Sequence, residues 1–353
     1  MKKAAKYAIK GAIGIGIINA ILNAINQLNE IDSNPEQRFN LGRLLIAAGK
    51  GAAFGGAGGF VYGSIKDHYN SKEIPLNADA FLYEIINEIK LDKNDSVYIK
   101  LNQIVDEIIA LLQHQYLNCL STLPIKIGST EKGTALKENF DIDICLTFKA
   151  SAFRSTREMY NNLYLFLTSR VGKYGIVKLR EQKKSIGVYV TTGRSEYKID
   201  IVPYKITKGN KTSGYLHVNK KGIFFDESSY TKTDIHAIKS IKLTSTQQKI
   251  ALLLKNWRNK NELPLSSHLL ETLILRSYAN NYGNIPRTLS KKVVMVLQYI
   301  ADNLNHTTIR SIENSNNILT DLPVDCKIQV IDACLRVIEE YQYQPNSIIE
   351  SFE

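Results

Sequence analysis

The amino-acid sequence predicts an α+β protein: a mixed sheet with helices, followed by a helical C-terminal region and preceded by a glycine-rich helical hairpin. Three observations support this class. Strand-like apolar runs concentrate between residues 121 and 230, helix-like periodicity occupies most of the remainder, and residues 1–75 are rich in glycine and alanine. We therefore predict a hairpin over 1–75, a sheet domain with a bracing helix over 76–235, and a helical domain over 236–353.

The first 75 residues contain two apolar segments with many small residues, 8–25 and 44–63. A helix needs about 20 apolar residues to span a bilayer. Lys10, Asn19 and Asn23 interrupt the first segment, and Lys50 interrupts the second. Gly51, Gly55 and Gly59 lie four residues apart, which lets helices approach closely. Three alternatives remain open: a soluble hairpin packed on the core, a hairpin that binds another copy or an effector partner, and a hairpin that contacts a membrane.

Residues 78–119 have a helical pattern, followed by strands. An apolar stripe at helical spacing predicts the long helix that braces the sheet, formed by Ile104, Val105, Ile108, Ile109 and Leu112. The predicted strands are Pro124–Ile127, Ile142–Phe148, Gly175–Leu179, Ile186–Thr191, Lys198–Val202 and, more weakly, Ile223–Phe225, with a helix over Arg157–Val171. Residues 209–214 and 219–222 are predicted to be loops.

The rest of the chain is predicted to be helical, with segments near Ser245–Asn259, Ser267–Tyr278, Lys291–Asn303 and Val324–Tyr343. The chain carries 45 Lys and Arg against 34 Asp and Glu, a net charge of +11, which suits a polyanionic partner such as a nucleotide or nucleic acid and equally a solvated basic surface. Its four cysteines lack metal-ligand spacing, and the apolar start has no signal-peptide cleavage pattern. We expect a cytoplasmic protein, with membrane association through residues 1–75 as an open alternative.

Three carboxylates form the candidate catalytic centre. Asp141 and Asp143 alternate with isoleucines, so on a strand both project to one face, about 6.6 Å apart along the backbone. Two carboxylates on a buried strand are costly unless a cation neutralises them, and Mg²⁺ prefers such oxygen ligands. Asp200, on a later strand-like run, would supply a third. Three carboxylates can hold two metal ions about 4 Å apart, a geometry that suits displacement at phosphorus.

A glycine-serine pair precedes the carboxylates. Gly128 and Ser129 follow an apolar run, and glycine lets the backbone approach a phosphate. Backbone N–H groups and the Ser129 hydroxyl could hold triphosphate oxygens. Each motif alone is compatible with a turn and two aspartates that bind nothing. Together, with eleven residues between Ser129 and Asp141 and a third aspartate downstream, they favour a nucleotide site.

These motifs resemble the polymerase-β-like nucleotidyltransferase superfamily, in particular the branch of oligoadenylate synthases, cGAS-like enzymes, bacterial CD-NTases and archaeal-type CCA-adding enzymes. The resemblance extends from about Ala80 to Tyr341. Its residues are Gly128-Ser129, Gly133-Thr134-Ala135, Asp141-Ile142-Asp143 and Ile199-Asp200-Ile201-Val202-Pro203. It implies a nucleotidyltransferase palm joined to a helical domain that completes the nucleotide cleft.

The resemblance also implies roles for residues downstream. Lys255 resembles the family lysine that contacts the triphosphate, Ser266 and Ser267 a helix start that reaches the phosphates, and Asn317 an element near the nucleotide. Thr134 belongs to the glycine-threonine-alanine element and is expected to bind the nucleotide.

The expected activity is transfer of NMP from an NTP or dNTP to a hydroxyl, with two Mg²⁺ (or Mn²⁺) ions and release of pyrophosphate. The product would be a cyclic or linear oligonucleotide signal in bacterial antiviral defence. Two alternatives stay open: a nucleotide- or nucleic-acid-binding regulatory relative, and a template-independent terminal nucleotidyltransferase of the CCA type.

Overall fold

The computed structural model describes residues 77–138, 140–193, 195–209, 213–220, 227–235, 237, 242–312 and 314–353. The predicted glycine-rich hairpin and the predicted strand Ile223–Phe225 lie outside these residues. From Ala78 to Glu353 the chain forms one unit. Its elements confirm the predicted α+β class: the first part combines helices with a series of strands, and helices alone follow.

Helices α1 (Ala78–Ile89) and α2 (Ser96–Gln115) precede the sheet. The strands are β1 (Ile125–Ile127), β2 (Ile142–Phe148), β3 (Ile176–Glu181), β4 (Ile186–Thr192), β5 (Ser195–Ile206), β6 (Ser213–Lys220) and β7 (Glu227–Asp234). The short helix α3 (Gly128–Lys132) joins β1 to β2, and α4 (Thr156–Thr168) lies between β2 and β3. Helices α5 (Ser245–Lys260), α6 (Ser267–Asn280), α7 (Leu289–Asn303), α8 (Val324–Tyr343) and α9 (Ile348–Phe352) complete the described chain.

The seven strands form one mixed sheet in the order β1-β2-β5-β4-β3, and β6 joins it by pairing with the end of β5 and with β7. Only the β2–β5 pair is parallel among the described strands. A parallel pair requires a crossover, which α4, β3 and β4 provide between β2 and β5. The two central strands therefore run side by side in the same direction.

One face of the sheet is covered by α2 and α4. Alternate strand residues such as Ile144, Val188 and Ile199 are fully buried against apolar residues of these helices, including Leu101 and Leu163. This confirms that the predicted stripe on α2 packs against the sheet. Because side chains alternate along a strand, the intervening residues project to the opposite face. That second face carries the candidate site.

The predicted loops at 209–214 and 219–222 are wrong at residues 213–214 and 219–220, because Ser213–Lys220 is strand β6, whereas Gly209 lies in a turn as predicted. Gly214 suggested a turn, yet a Cβ at this position would lie 2.3 Å from the Lys205 carbonyl oxygen. The glycine therefore serves close strand approach rather than a turn. Strand β7 was also missed, because its sequence Glu-Ser-Ser-Tyr-Thr-Lys-Thr-Asp has no apolar alternation. Within the described residues no helix is long and apolar enough to cross a membrane.

Candidate active site

The candidate site lies on the central parallel strands. Asp143 of β2 is in register with Asp200 of β5 on one side and with Ile127 of β1 on the other. Asp141 immediately precedes β2, so it is two residues from Asp143 as predicted. The neighbouring residues Ile142 and Ile199 are buried in the core, which directs the aspartates to the other face of the sheet. The structure thus brings all three predicted aspartates together.

A lysine lies between two of these carboxylates. Lys198 is two residues before Asp200 on the same strand face, and its Nζ is 2.6 Å from Asp141 Oδ2 and 3.3 Å from Asp200 Oδ2. Burial acts to lower the pKa of Lys198, but its hydrogen bond and charge interaction with the two aspartates raise it overall. The ammonium is therefore charged and partly neutralises the cluster.

The lysine does not fully offset the mutual repulsion of the aspartates. Burial, followed by the charges of Asp200 and Asp141, raises the pKa of Asp143 to about 7. Burial also raises the pKa of Asp200, although Lys198 and Gln182 both act to lower it. The site therefore carries excess negative charge when its carboxylates ionise, which favours binding of a further cation.

Gly128 is packed directly against Asp143. The predicted turn at Gly128-Ser129 is the start of the short helix α3, and Gly128 has φ +83°, a region that favours glycine. A Cβ at Gly128 would lie 1.9 Å from Asp143 Oδ2. Ser129 is the next residue, and its carbonyl accepts the Thr134 N–H at 3.0 Å. The glycine-serine motif thus begins directly against one of the three carboxylates, that of Asp143.

Lys255 occupies a buried polar cluster between α5, α6 and the end of α3. Its Nζ donates to Thr134 O at 3.1 Å, to Thr134 Oγ1 at 2.9 Å and to Glu271 Oε1 at 2.7 Å. Lys132 pairs with the other Glu271 oxygen at 3.0 Å. Although burial acts to raise it, the pKa of Glu271 is held below its usual value by the two lysines.

An ammonium has three N–H donors, and all three of those on Lys255 are engaged in this cluster. Lys255 and Thr134 were predicted to bind nucleotide, and that role stays a prediction. A phosphate contact by Lys255 would require it to exchange one of these partners. Lys132, whose side chain is 17% exposed, is the more accessible of the two cations.

The other predicted nucleotide contacts have structural partners in the helical region. Ser266 caps α6, its hydroxyl accepting the Leu269 N–H at 3.1 Å. Arg258 donates to Ser267 Oγ at 3.1 Å. Asn317 is exposed, and its backbone carbonyl accepts the Ser311 N–H at 2.8 Å. These contacts are compatible with a helix start that also binds an anion, which stays a prediction.

Part of this chain is similar in sequence to a known enzyme. No family model matches the chain. The CCA-adding enzyme of Methanocaldococcus jannaschii is 31% identical over 144 residues, which cover 39% of this chain and 30% of that enzyme. The chain thus matches less than a third of the length of this curated relative.

Solved structures match over most of the chain. CdnC of E. coli MS115-1 with ATP has a TM-score of 0.59 at 17% identity, covering 78% of this chain and 98% of CdnC. The CD-NTase CdnG of Bradyrhizobium diazoefficiens, in complex with GTP, has a TM-score of 0.59 at 13% identity, covering 78% and 95%. The Cid1 poly(U) polymerase with Mg and 3′-dATP bound has a TM-score of 0.54 at 14% identity, covering 78% and 98%.

This chain has the polymerase-β-like nucleotidyltransferase fold. The resemblance inferred from the motifs is confirmed at the level of the fold. The relatives with this fold include enzymes that are named for nucleotide addition, and CdnC has also been solved in a complex with HORMA-deltaN.

The candidate site has a donor set that fits a divalent cation. Its three carboxylates supply hard oxygen ligands, and Lys198 shows that two of them already share a cation. Among the described residues, no three His, Cys, Asp or Glu side chains are arranged so that they could hold a metal ion together. Asp141 and Asp200 both pair with the Lys198 ammonium, and Asp143 lies against Gly128. Metal binding would require displacement of that ammonium.

Sequence reasoning missed four polar residues in and around the candidate site. Lys198 could have been found, because it shares a strand face with Asp200 at a spacing of two residues. Lys132 and Glu271 could not, since their pairing joins α3 to a helix more than 130 residues later. Gln182, which donates to Asp200 Oδ1 at 2.9 Å, follows a strand and carries no motif.

Proposed function

We propose that this protein is a metal-dependent nucleotidyltransferase that transfers NMP from an NTP or dNTP to a hydroxyl and releases pyrophosphate. The observation that carries the proposal is the register of Asp143 with Asp200 on adjacent parallel strands, with Asp141 and Gly128 beside them. Three carboxylates on a nucleotidyltransferase fold suit phosphoryl chemistry better than any other reaction class.

The chain's own residues have separable roles in this proposal. Bound divalent ions, Mg²⁺ or Mn²⁺, would supply charge neutralisation at the triphosphate and activation of the attacking hydroxyl. Asp141 and Asp143 would hold the ion on the triphosphate side, and Asp200 would join them on the hydroxyl side. The Asp200 carboxylate can accept the hydroxyl proton as the new O–P bond forms and the bond to pyrophosphate breaks. Gly128 and Ser129 would hold phosphate oxygens.

The test is incubation of the purified protein with each labelled NTP and dNTP and Mg²⁺ or Mn²⁺, with detection of pyrophosphate and identification of the product. Asp141→Asn and Asp143→Asn should abolish product formation while the protein stays folded, because each amide replaces a carboxylate ligand by a neutral group. Wild-type turnover in a folded double variant would refute the assignment.

The finer proposal is that the product is a cyclic or linear oligonucleotide signal in bacterial antiviral defence. The structural similarity to CdnC and CdnG supports it. The complex of CdnC with HORMA-deltaN suggests that this protein also has a protein partner, for which residues 1–75 are the candidate segment. We propose a cytoplasmic protein, with membrane association through the same segment as the alternative. Products that form from NTPs alone, without primer, would support a signal synthase.

A terminal nucleotidyltransferase of the CCA type is the second candidate, favoured by the 31% identity to a CCA-adding enzyme over 144 residues. It is tested by adding tRNA that lacks its 3′ end to the same reactions. Label that appears on the RNA, with no product from NTPs alone, would favour this activity. Nucleotide binding with no transfer under either condition would favour a regulatory relative.

A further inference from the structure

Gln182, just beyond the end of β3, reaches the third aspartate of the site. Its Nε2 donates to Asp200 Oδ1 at 2.9 Å. The other oxygen, Asp200 Oδ2, lies 3.3 Å from Lys198 Nζ. Each oxygen of this carboxylate therefore has its own donor, one neutral and one charged. Gln182 and Lys198 together fix the orientation of the Asp200 carboxylate about its Cβ–Cγ bond.

The Gln182 side chain is itself held in one orientation. Ser185 Oγ donates to Gln182 Oε1 at 2.9 Å, which leaves the amide NH₂ directed at the carboxylate. The Gln182 backbone is also fixed, since its N–H donates to the Ser185 carbonyl at 3.1 Å and its carbonyl accepts from Asn219 Nδ2 at 2.8 Å. The amide is thus a preorganised donor rather than a mobile surface group.

A glycine near the start of β4 makes room for this contact. Gly187 is the residue of β4 that pairs with Asp200, and a Cβ there would lie 2.6 Å from Gln182 Nε2. Glycine weakens a strand interior, so its presence calls for a local reason. Gly187 is not among the glycines with positive φ, so backbone conformation does not require it. The space that it leaves is the path by which Gln182 crosses β4.

We infer that Gln182 is a positioning residue for Asp200 and that Gly187 admits it to the site. The inference rests on the proposed nucleotidyltransferase function. Gln182 orients the carboxylate for its cation and for the attacking hydroxyl without touching the triphosphate. Loss of the amide should therefore lower kcat and divalent-metal affinity while leaving the KM for NTP nearly unchanged.

The experiment compares Gln182→Ala, Gly187→Ala and the double variant with the wild-type chain. One readout is steady-state pyrophosphate release, which separates kcat from KM. The other is Mn²⁺ affinity of the nucleotide-free protein by electron paramagnetic resonance. Each single variant should lose about 10- to 100-fold in kcat or in Mn²⁺ affinity, the range typical for residues that orient metal ligands. Because Gly187 acts only through Gln182, Gly187→Ala should add nothing in the Gln182→Ala background.

Gln298→Ala is the matched control, since it removes a glutamine–aspartate hydrogen bond of 2.8 Å to Asp302 on an exposed face of α7. It should leave both readouts unchanged. Thermal unfolding in chelator confirms that each variant is folded. If one variant does not fold, the other single variant still decides the question.

The outcomes distinguish this inference from the function on which it rests. Wild-type protein that binds Mn²⁺ but transfers no nucleotide would refute the proposed function, and the Mn²⁺ arm would still decide the role of Gln182. Unchanged kcat and Mn²⁺ affinity in a folded Gln182→Ala variant, or additive effects of the two substitutions, would overturn the inference. Failure of the wild-type protein to bind Mn²⁺ would overturn it as well.

Discussion

At the scale of single residues, the three candidate aspartates differ in how their charge is compensated. Asp141 is 43% exposed at its side chain and pairs with Lys198, and Asp200 has both Lys198 and Gln182 as donors. Asp143 is in register with Asp200 on the neighbouring strand, and burial and the other two carboxylates raise its pKa to about 7. Without a bound metal ion, the ionisation of Asp143 is therefore opposed by its burial and by its two negatively charged neighbours.

The raised pKa of Asp143 predicts a pH-dependent loss of stability. A carboxyl whose folded pKa of about 7 exceeds its unfolded value of 3.8 binds more protons in the folded state between those values. The stabilising contribution of Asp143 to the free energy of unfolding is therefore fully present below about pH 4, and it is lost as the pH rises through 7. In chelator at about pH 8, Asp143→Asn should be more stable than wild type by on the order of 2–4 kcal/mol.

Denaturant unfolding of both proteins between about pH 5 and pH 8 measures this difference. The gap should widen with rising pH and should narrow when Mg²⁺ is added, because a cation that binds the wild-type carboxylates stabilises only the wild type. A gap that is independent of pH would show that Asp143 ionises normally in the folded protein.

The close packing of Gly128 against the Asp143 carboxylate can be tested by substitution. Gly128→Ala places a methyl group 1.9 Å from the present position of Asp143 Oδ2, so the carboxylate or the start of α3 must move. A displacement of this size should reduce nucleotide transfer by about 100-fold or more. Gly172→Ala is the control, because Gly172 has φ +84° and open space around its would-be Cβ. It introduces the same backbone strain without the collision, and should retain activity.

If Gly128→Ala and Gly172→Ala lost activity equally, the effect would come from backbone strain alone. Only part of the role of Gly128 could be predicted from the sequence. Glycine before serine suggested close approach of the backbone to a phosphate, which stays a prediction. The contact of Gly128 with Asp143 could not be predicted, since it depends on the pairing of β1 with β2.

At the scale of elements, the buried cluster of Lys255, Glu271 and Thr134 links the sheet region to the helices. Glu271 and Lys255 have side-chain exposures of only 6% and 4%. Removing one partner of a buried ion pair leaves an uncompensated charge, whereas removing both can cost little. The cluster therefore ties α5 and α6 to the end of α3.

This cluster predicts that Lys255→Ala lowers the free energy of unfolding by about 3–5 kcal/mol, the usual cost of breaking a buried pair. Lys255→Met combined with Glu271→Leu should cost less than the sum of the two single changes. Lys178→Ala is the control, because its 2.7 Å pair with Glu196 is exposed and should contribute no more than about 1 kcal/mol. Chemical denaturation of each variant gives the comparison.

The same variant tests the predicted phosphate role of Lys255. If Lys255 contacts the triphosphate, Lys255→Ala should weaken apparent NTP affinity more than it slows the saturated reaction, because the phosphate charge is already present in the ground state. Unchanged stability would contradict the structural role, and unchanged NTP affinity in a folded variant would contradict the phosphate role.

Elements with a strong apolar period were predicted well, and those defined by partners were not. Strand Ile142–Phe148 and helix Val324–Tyr343 were predicted at their observed bounds. Strand β5 is longer than predicted at both ends, because Ser195 to Tyr197 pair with β4 and Tyr204 to Ile206 pair with β6. Strand β7 is almost entirely polar and exists through its pairing with β6, which local sequence cannot reveal.

At the scale of the whole molecule, the first described helix and the C-terminal helices depend on each other. Asp79 of α1 accepts the backbone N–H groups of Leu289 and Ser290 at 3.0 and 2.8 Å and so caps α7 from a distance of 210 residues. Trp257 of α5 stacks on Phe352 of α9 at 6.3 Å between ring centroids. The α+β class could be predicted from composition and periodicity, but these long-range caps could not. The boundary near residue 235 stays a prediction.

Because Ala78–Glu353 has its own core and contains the whole candidate site, deletion of residues 1–70 should leave a folded and active protein. The sequence predicts that the deleted segment mediates assembly or membrane contact, so Gly55→Leu in the full chain should reproduce part of the effect of deletion by separating close-packed helices. Size-exclusion chromatography with light scattering and liposome flotation measure both properties. If full-length and truncated proteins are both monomeric and neither floats, the segment belongs to the soluble core. If the truncated protein aggregates or loses nucleotide transfer, the segment supports the sheet domain and the predicted boundary at residue 75 is wrong.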